Sequence, residues 1–67
     1  MDVESAAIRE IDYEPRARRL RVTFRSGERY AYRDVPAEVC RAFVEADSKG
    51  RFFQAQIRDR YAFERLS

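Results

Sequence analysis

The fold is decided by the stretch Leu20-Arg21-Val22-Thr23-Phe24-Arg25-Ser26-Gly27-Glu28-Arg29-Tyr30-Ala31-Tyr32. Apolar and polar residues alternate with period two on both sides of Gly27, a pattern typical of a half-buried β-hairpin. Residues paired across antiparallel strands share a face, so Val22 must lie opposite Tyr30 and Leu20 opposite Tyr32. This register requires the three-residue loop Arg25-Ser26-Gly27, whose last position is left-handed and favours glycine.

A further strand is predicted upstream of the hairpin, over Ala7–Tyr13. A turn should follow it, with Pro15 at the second turn position. Because Ile8 and Ile11 fall on opposite faces of a regular strand, we expect a bulge or burial on both sides.

The second half of the chain changes to helical periodicity. Apolar residues at helical spacing predict a helix over Pro36–Ala46 and a shorter one from about Arg51 to Arg58. The tail Ala62–Ser67 is too short to assign, although Phe63 and Leu66 are expected to dock. The predicted fold is α+β, a three-stranded antiparallel sheet followed by two short helices packed on one face (β-β-β-α-α), in a single domain over residues 1–67.

Composition excludes most catalytic chemistry. The 67 residues contain no His and only one Cys, Cys40, so a Cys/His zinc site, a disulfide and a His-activated nucleophile are impossible within the chain. Cys40 is expected to be a core residue of the first helix. We expect no enzyme activity, no catalytic residue, no metal and no cofactor. A carboxylate enzyme would need a pocket lined by two acids with raised pKa values.

Targeting features point to a cytoplasmic protein without a membrane partner. No apolar run reaches the length of about 18–20 residues that crosses a bilayer. The start of the chain, Met1-Asp2-Val3-Glu4, lacks the basic and apolar regions of a signal peptide.

The net charge of +2 conceals a strongly uneven distribution. Residues 15–33 contain seven Arg and one acid, whereas residues 1–14 and 34–47 are acidic. Arginine is the cation best suited to bidentate phosphate contacts and to stacking.

Alternation places much of this basic block on the outer face of the sheet. The residues expected to point outward are Arg19, Arg21, Thr23, Arg29, Ala31 and Arg33. The register would also set Arg19 beside Arg33. Such a face could follow a phosphate backbone. It could equally be a solvated surface neutralised by Glu10 and Asp12.

Two further features have competing interpretations. Ser48-Lys49-Gly50-Arg51 could form an anion pocket at a helix start, but Ser48 as a simple helix cap explains the same residues. Tyr30 and Tyr32 could stack on nucleobases, yet their alternation with Leu20 and Val22 favours the core.

Several of these elements together resemble the KTSC domain, a short module found at the C-terminus of certain lysyl-tRNA synthetases and as free-standing bacterial proteins. The matching residues are Tyr13, Leu20, Val22, Phe24, Gly27, Tyr30, Tyr32, Val35, Pro36, Ser48, Lys49, Gly50, Phe52, Phe53, Ile57 and Tyr61. Gln54 stands where the family usually has Asn, so no role is carried over to that position. The resemblance implies a module without an established activity, for which attachment to synthetases suggests RNA binding.

The sequence therefore predicts a small non-enzymatic module that binds RNA or another polyanion through an Arg-rich surface. The candidate contact residues are Arg19, Arg21, Arg29, Arg33, Lys49 and Arg51. The alternative is a protein-interaction module, or a homodimer formed through a sheet edge.

Overall fold

The central hairpin forms in the predicted register. In the computed structural model, which describes residues 5–67, β2 (Arg19–Phe24) and β3 (Arg29–Tyr32) are antiparallel. The facing pairs are Leu20 with Tyr32, Arg21 with Ala31, Val22 with Tyr30, and Thr23 with Arg29. The Phe24 amide donates to the Glu28 carbonyl at 2.9 Å, which leaves a three-residue loop. Gly27 closes that loop with φ +99°, so the predicted loop and its glycine are confirmed.

The first strand carries the expected bulge. β1 (Ile8–Glu14) pairs with β2, and the register shifts between Ile8 and Glu10. Ile8 and Ile11 are consequently both buried, at 0% and 1% exposure. The bulge therefore resolves the conflict between strand periodicity and the burial of both isoleucines.

The turn after β1 differs from the prediction in the position of its proline. The turn covers residues 15–18, and the Arg18 amide donates to the Pro15 carbonyl at 3.3 Å. Pro15 is thus the first turn residue and not the second. Arg18 takes the left-handed conformation, with φ 52°.

Among residues 5–67 the sheet has four strands, so the prediction of three strands is wrong. β4 (Phe63–Arg65) pairs antiparallel with β3, setting Phe63 opposite Tyr32 and Glu64 opposite Ala31. The strand order is β1-β2-β3-β4. A three-residue strand is too short to show alternation, and its partner lies some thirty residues away in the chain.

Two helical segments cover the inner face of the sheet, as predicted. α1 (Ala37–Glu45) is one residue shorter at each end than expected, because Pro36 occupies the N-cap position and Ala46 the C-cap position. α2 (Lys49–Phe52) begins earlier than expected and continues directly into a π-helical turn, Phe53–Ile57.

The core lies between the sheet and these helices. Its buried residues are Ile8, Ile11, Leu20, Val22, Tyr32, Val35, Cys40, Phe43, Phe53 and Ile57. Burial raises the pKa of the Cys40 thiol, which fits the predicted core role of this residue. The Tyr13 hydroxyl donates to the Val35 carbonyl at 2.5 Å and ties β1 to the segment that precedes α1. The longest helix of the described residues, α1, has nine residues, which is too few to span a bilayer.

Candidate nucleic-acid interface

The outer face of the sheet carries charges that are matched across the strands. One row runs from Asp12 on β1 through Arg21 and Ala31 to Glu64 on β4. Thr23 lies between Glu10 and Arg29 in the next row. Acids from both edge strands therefore flank the predicted arginines.

Arg19 and Arg21 take part in ion pairs on this face. Arg19 Nη2 lies 3.5 Å from Glu64 Oε1, and the Nε atoms of both arginines lie 3.9 Å from Glu14 Oε1. These separations are too long for hydrogen bonds, and the side chains are 36% and 42% exposed. Such pairs contribute about 0–1 kcal/mol each but lower the net charge of the face.

Arg29 and Arg33 remain exposed, and neither forms an ion pair within the described part of the chain. The β2–β3 ladder ends at Leu20 and Tyr32, so Arg19 and Arg33 do not form a pair of the ladder. Arg33 instead donates its backbone amide to the Ala62 carbonyl at 2.8 Å.

Ala31 was expected to be exposed on the outer face of the sheet, but it is buried. The register places it on the outer side between Arg21 and Glu64, yet it is fully buried. The methyl group of Ala31 is short, so the longer side chains on the neighbouring strands shield it from solvent. The pairing of β4 with β3 therefore turns this outward position into a buried one.

The segment between the helices serves mainly to cap them. Ser48 Oγ accepts the Arg51 amide at 3.3 Å, which confirms the predicted cap. Lys49 Nζ donates to the Ala46 carbonyl at 2.8 Å, at the C-terminus of α1 where a positive charge is favourable. Arg51 is exposed and, within residues 5–67, its side chain has no partner. Of the two cations in the predicted anion pocket, Lys49 is therefore already bonded and Arg51 is available to a ligand.

Tyr32 is a core residue, as the alternation indicates. It is 3% exposed, and Tyr30 beside it is half-buried against the same core. Burial, with a smaller contribution from Tyr30, raises the pKa of Tyr32 from 10.0 to about 12. Arg58 acts in the opposite direction, since its positive charge favours the phenolate.

The titration of Tyr32 gives a testable pH dependence. A raised pKa in the folded state means that the neutral hydroxyl is favoured by folding, so this stabilisation is complete below pH 10 and is lost as the pH rises towards about 12. We expect one of the four tyrosines to ionise late in an absorbance titration of the folded chain. The Tyr32→Phe variant should lose that late component; if it persists, another tyrosine is the shifted one.

An aromatic groove, which the sequence did not reveal, lies on the helix side of the sheet beside β4. It has a volume of about 700 Å³. Five rings form a closed chain of contacts along it, with centroids 5.2–5.8 Å apart. They are Phe24, Tyr30, Phe63, Tyr32 and Phe53. Phe63 is 51% exposed and supplies the most open ring face.

Polar groups surround these rings. Arg58 lines the groove and donates from Nη1 to Gln54 Oε1 at 2.9 Å. Glu28 accepts from Ser26 Oγ at 3.3 Å, and its Oε2 lies 3.6 Å from Arg65 Nη2. Arg25 and Asp59 complete the charged lining.

The groove depends on elements that are distant in the sequence. The Tyr30-x-Tyr32 and Phe52-Phe53 patterns were visible, but only the β4 pairing brings Phe63 beside them. The π-helical turn Phe53–Ile57 carries Phe53 and Gln54 to the same place. Turns of this kind are frequent at functional sites.

Family membership follows from comparison with known proteins. The model of the KTSC domain matches residues 4–61. The chain belongs to the KTSC domain family. The match covers the three longer strands and all helical turns of this KTSC domain and ends just before β4.

Known relatives include free-standing proteins and parts of larger ones. The domain is 45% identical over 51 residues to a protein of Stutzerimonas stutzeri, covering 76% of this chain and 72% of that protein. It is 36% identical over 64 residues to a lysine–tRNA ligase of Nostoc punctiforme, covering 96% of this chain but only 11% of the ligase. The crystal structure of a KTSC domain protein from Yersinia pestis superposes with a TM-score of 0.95 at 35% identity, covering 100% of this chain and 94% of that one.

Proposed function

We propose that this KTSC domain is a cytoplasmic, non-enzymatic module that binds RNA or another polyanion through guanidinium–phosphate contacts. The observation that carries the proposal is the exposure of Arg29, Arg33 and Arg51, which within residues 5–67 are engaged by no acid. A guanidinium that is not already paired can contact a phosphate without first losing another partner. Arg19 and Arg21 would contribute less, since Glu14 and Glu64 compete for them.

The ligase relative supports an RNA partner. A segment similar to nearly the whole domain occurs within a protein named as a lysine–tRNA ligase, whose substrate is an RNA. That this chain also binds RNA is part of the proposal. Phosphate contacts would supply most of the affinity and little sequence preference.

The proposal is tested with the variants Arg29→Gln and Arg33→Gln. Each should weaken binding to labelled RNA uniformly across sequences, because each removes one phosphate contact. Fluorescence anisotropy at low salt measures the affinity. Arg41→Gln is the matched control, since Arg41 is an exposed arginine on α1 and not on the sheet.

Three results of this experiment would be informative. If only Arg29→Gln and Arg33→Gln lower the affinity for RNA, the result supports the proposed surface. Equal loss with Arg41→Gln would mean that only total charge matters, which contradicts a defined surface. No RNA binding by the unmodified chain would reject the proposal.

A second candidate is self-association through the sheet edge. β3, the edge of the predicted hairpin, is already paired with the chain's own β4, so the edge strands among the described residues are β1 and β4. Of these, we propose β4 as the strand that pairs with a partner. Its exposed Phe63 favours this candidate. A dimer seen by light scattering, together with no RNA binding, would select it over the first.

A further inference from the structure

The aromatic groove offers ring faces to a planar ligand. Phe63 and the half-buried Tyr30 contact each other edge to face, with centroids 5.7 Å apart. Behind them, Tyr32 and Phe53 are buried and hold the two more open rings in place. Single-stranded RNA stacks its bases on exposed aromatic faces, and here Phe63 offers such a face with core rings behind it.

Arg58 gives the groove a guanidinium that can meet an anionic part of a ligand. Arg25 also lines the groove, and its Nε donates to the Ser5 carbonyl at 2.6 Å. Of its two acids, Glu28 is already engaged by Arg65 and Ser26, and only Asp59 remains to attract a cation. The Arg58 guanidinium has further N–H donors beyond the one it gives to Gln54.

We infer that this groove binds one unpaired nucleotide of an RNA strand, with the base stacked on the face of Phe63, which Tyr30 supports edge to face, and the adjacent phosphate at Arg58. The inference rests on the proposed function and adds to it a base-binding site on the side of the sheet opposite the arginine face. A volume of about 700 Å³ falls within the range of ordinary small-molecule sites. A base inside a duplex presents no free face for this stacking, so the site selects unpaired RNA.

The segment that precedes β4 also links the aromatic groove to the arginine face of the sheet. The Arg33 amide is bonded to the Ala62 carbonyl, directly before Phe63. Arg58 and Arg60 precede this point on the same segment. Arg33, a candidate phosphate contact, therefore lies beside the residue that precedes Phe63.

Binding of a labelled single-stranded RNA and of its duplex form tests the inference. We expect tighter binding of the single strand. Phe63→Leu should weaken it about fivefold or more, because leucine keeps an apolar side chain but removes the stacking face. Phe63→Tyr, which retains the ring, is the matched control and should bind like the unmodified chain. Arg58→Gln should weaken binding of the single strand by less than Phe63→Leu does, because it removes one phosphate contact and leaves the stacking face.

Adenosine monophosphate and ribose phosphate provide a second measurement that needs no variant. In the unmodified chain, the nucleotide should shift the NMR signals of the Phe63 and Tyr30 rings, and ribose phosphate should not. This readout remains valid if Phe63→Leu fails to fold.

The outcomes separate the inference from the proposed function. If RNA binds and Arg29→Gln weakens it, but Phe63→Leu has no effect and the ring signals do not move, the groove is not the base site and the proposed function stands. If no RNA binds at low salt, both are rejected. Equal binding of duplex and single strand, with unshifted rings, would also overturn the groove assignment.

Discussion

The Phe43→Ala variant is expected to be largely unfolded at room temperature. Phe43 is fully buried, stacks on Phe52 with centroids 5.5 Å apart, and contacts Phe53. It is the aromatic contact between α1 and the second helical segment. Its truncation removes this contact and leaves a cavity, at a cost of about 3–5 kcal/mol.

This loss is comparable with the whole stability of so small a domain. At about 0.05–0.15 kcal/mol per residue, a chain of this length has about 3–10 kcal/mol in total. Urea denaturation followed by circular dichroism measures the change. Phe43→Leu is the control, with an expected loss of about 1–2 kcal/mol because most of the buried volume is kept. Equal midpoints for Phe43→Ala and the unmodified chain would show that this contact does not hold the helices together.

Raising the salt concentration is expected to weaken RNA binding by about 15-fold between roughly 50 and 200 mM. Each phosphate neutralised on a single strand contributes about −0.7 to the slope of log K against log salt. Contacts from Arg29, Arg33 and Arg51 give a slope of about −2. An anisotropy titration at several salt concentrations measures it.

The slope also distinguishes which arginines take part. Arg29→Gln should reduce its magnitude by about 0.7, since one counterion release is lost. Arg19→Gln should reduce it less, because that guanidinium lies near Glu14 and Glu64. A slope near zero in the unmodified chain would contradict an electrostatic mechanism.

The hairpin and the bulge were predictable because their causes are local. Alternation of Leu20 and Val22 with polar residues sets the inner face of the hairpin. Because residues paired across the strands must share a face, the loop that ends at Gly27 has three residues. The conflict between Ile8 and Ile11 left two predictions open, a bulge or burial on both sides of the strand, and the structure shows the bulge. The cap at Ser48 follows from its neighbours in the same way.

The candidate sites were only partly predictable. Arg29 and Arg33 are exposed as expected, but the sequence does not show that Glu64 lies beside Arg19. The burial of Ala31 and the aromatic groove have the same cause, since both depend on β4 lying against β3. Three residues carry too little periodicity to predict a strand or its partner.

The sequence by itself determined the order of the first three strands and the two helical segments, the hairpin register and the concentration of arginine on the sheet. These properties come from side-chain periodicity and charge, which adjacent residues specify. Tertiary structure alone decided which arginines are paired with acids and where five aromatic rings meet. Those outcomes depend on the return of the C-terminal segment to the edge of β3, a contact between residues far apart in the chain.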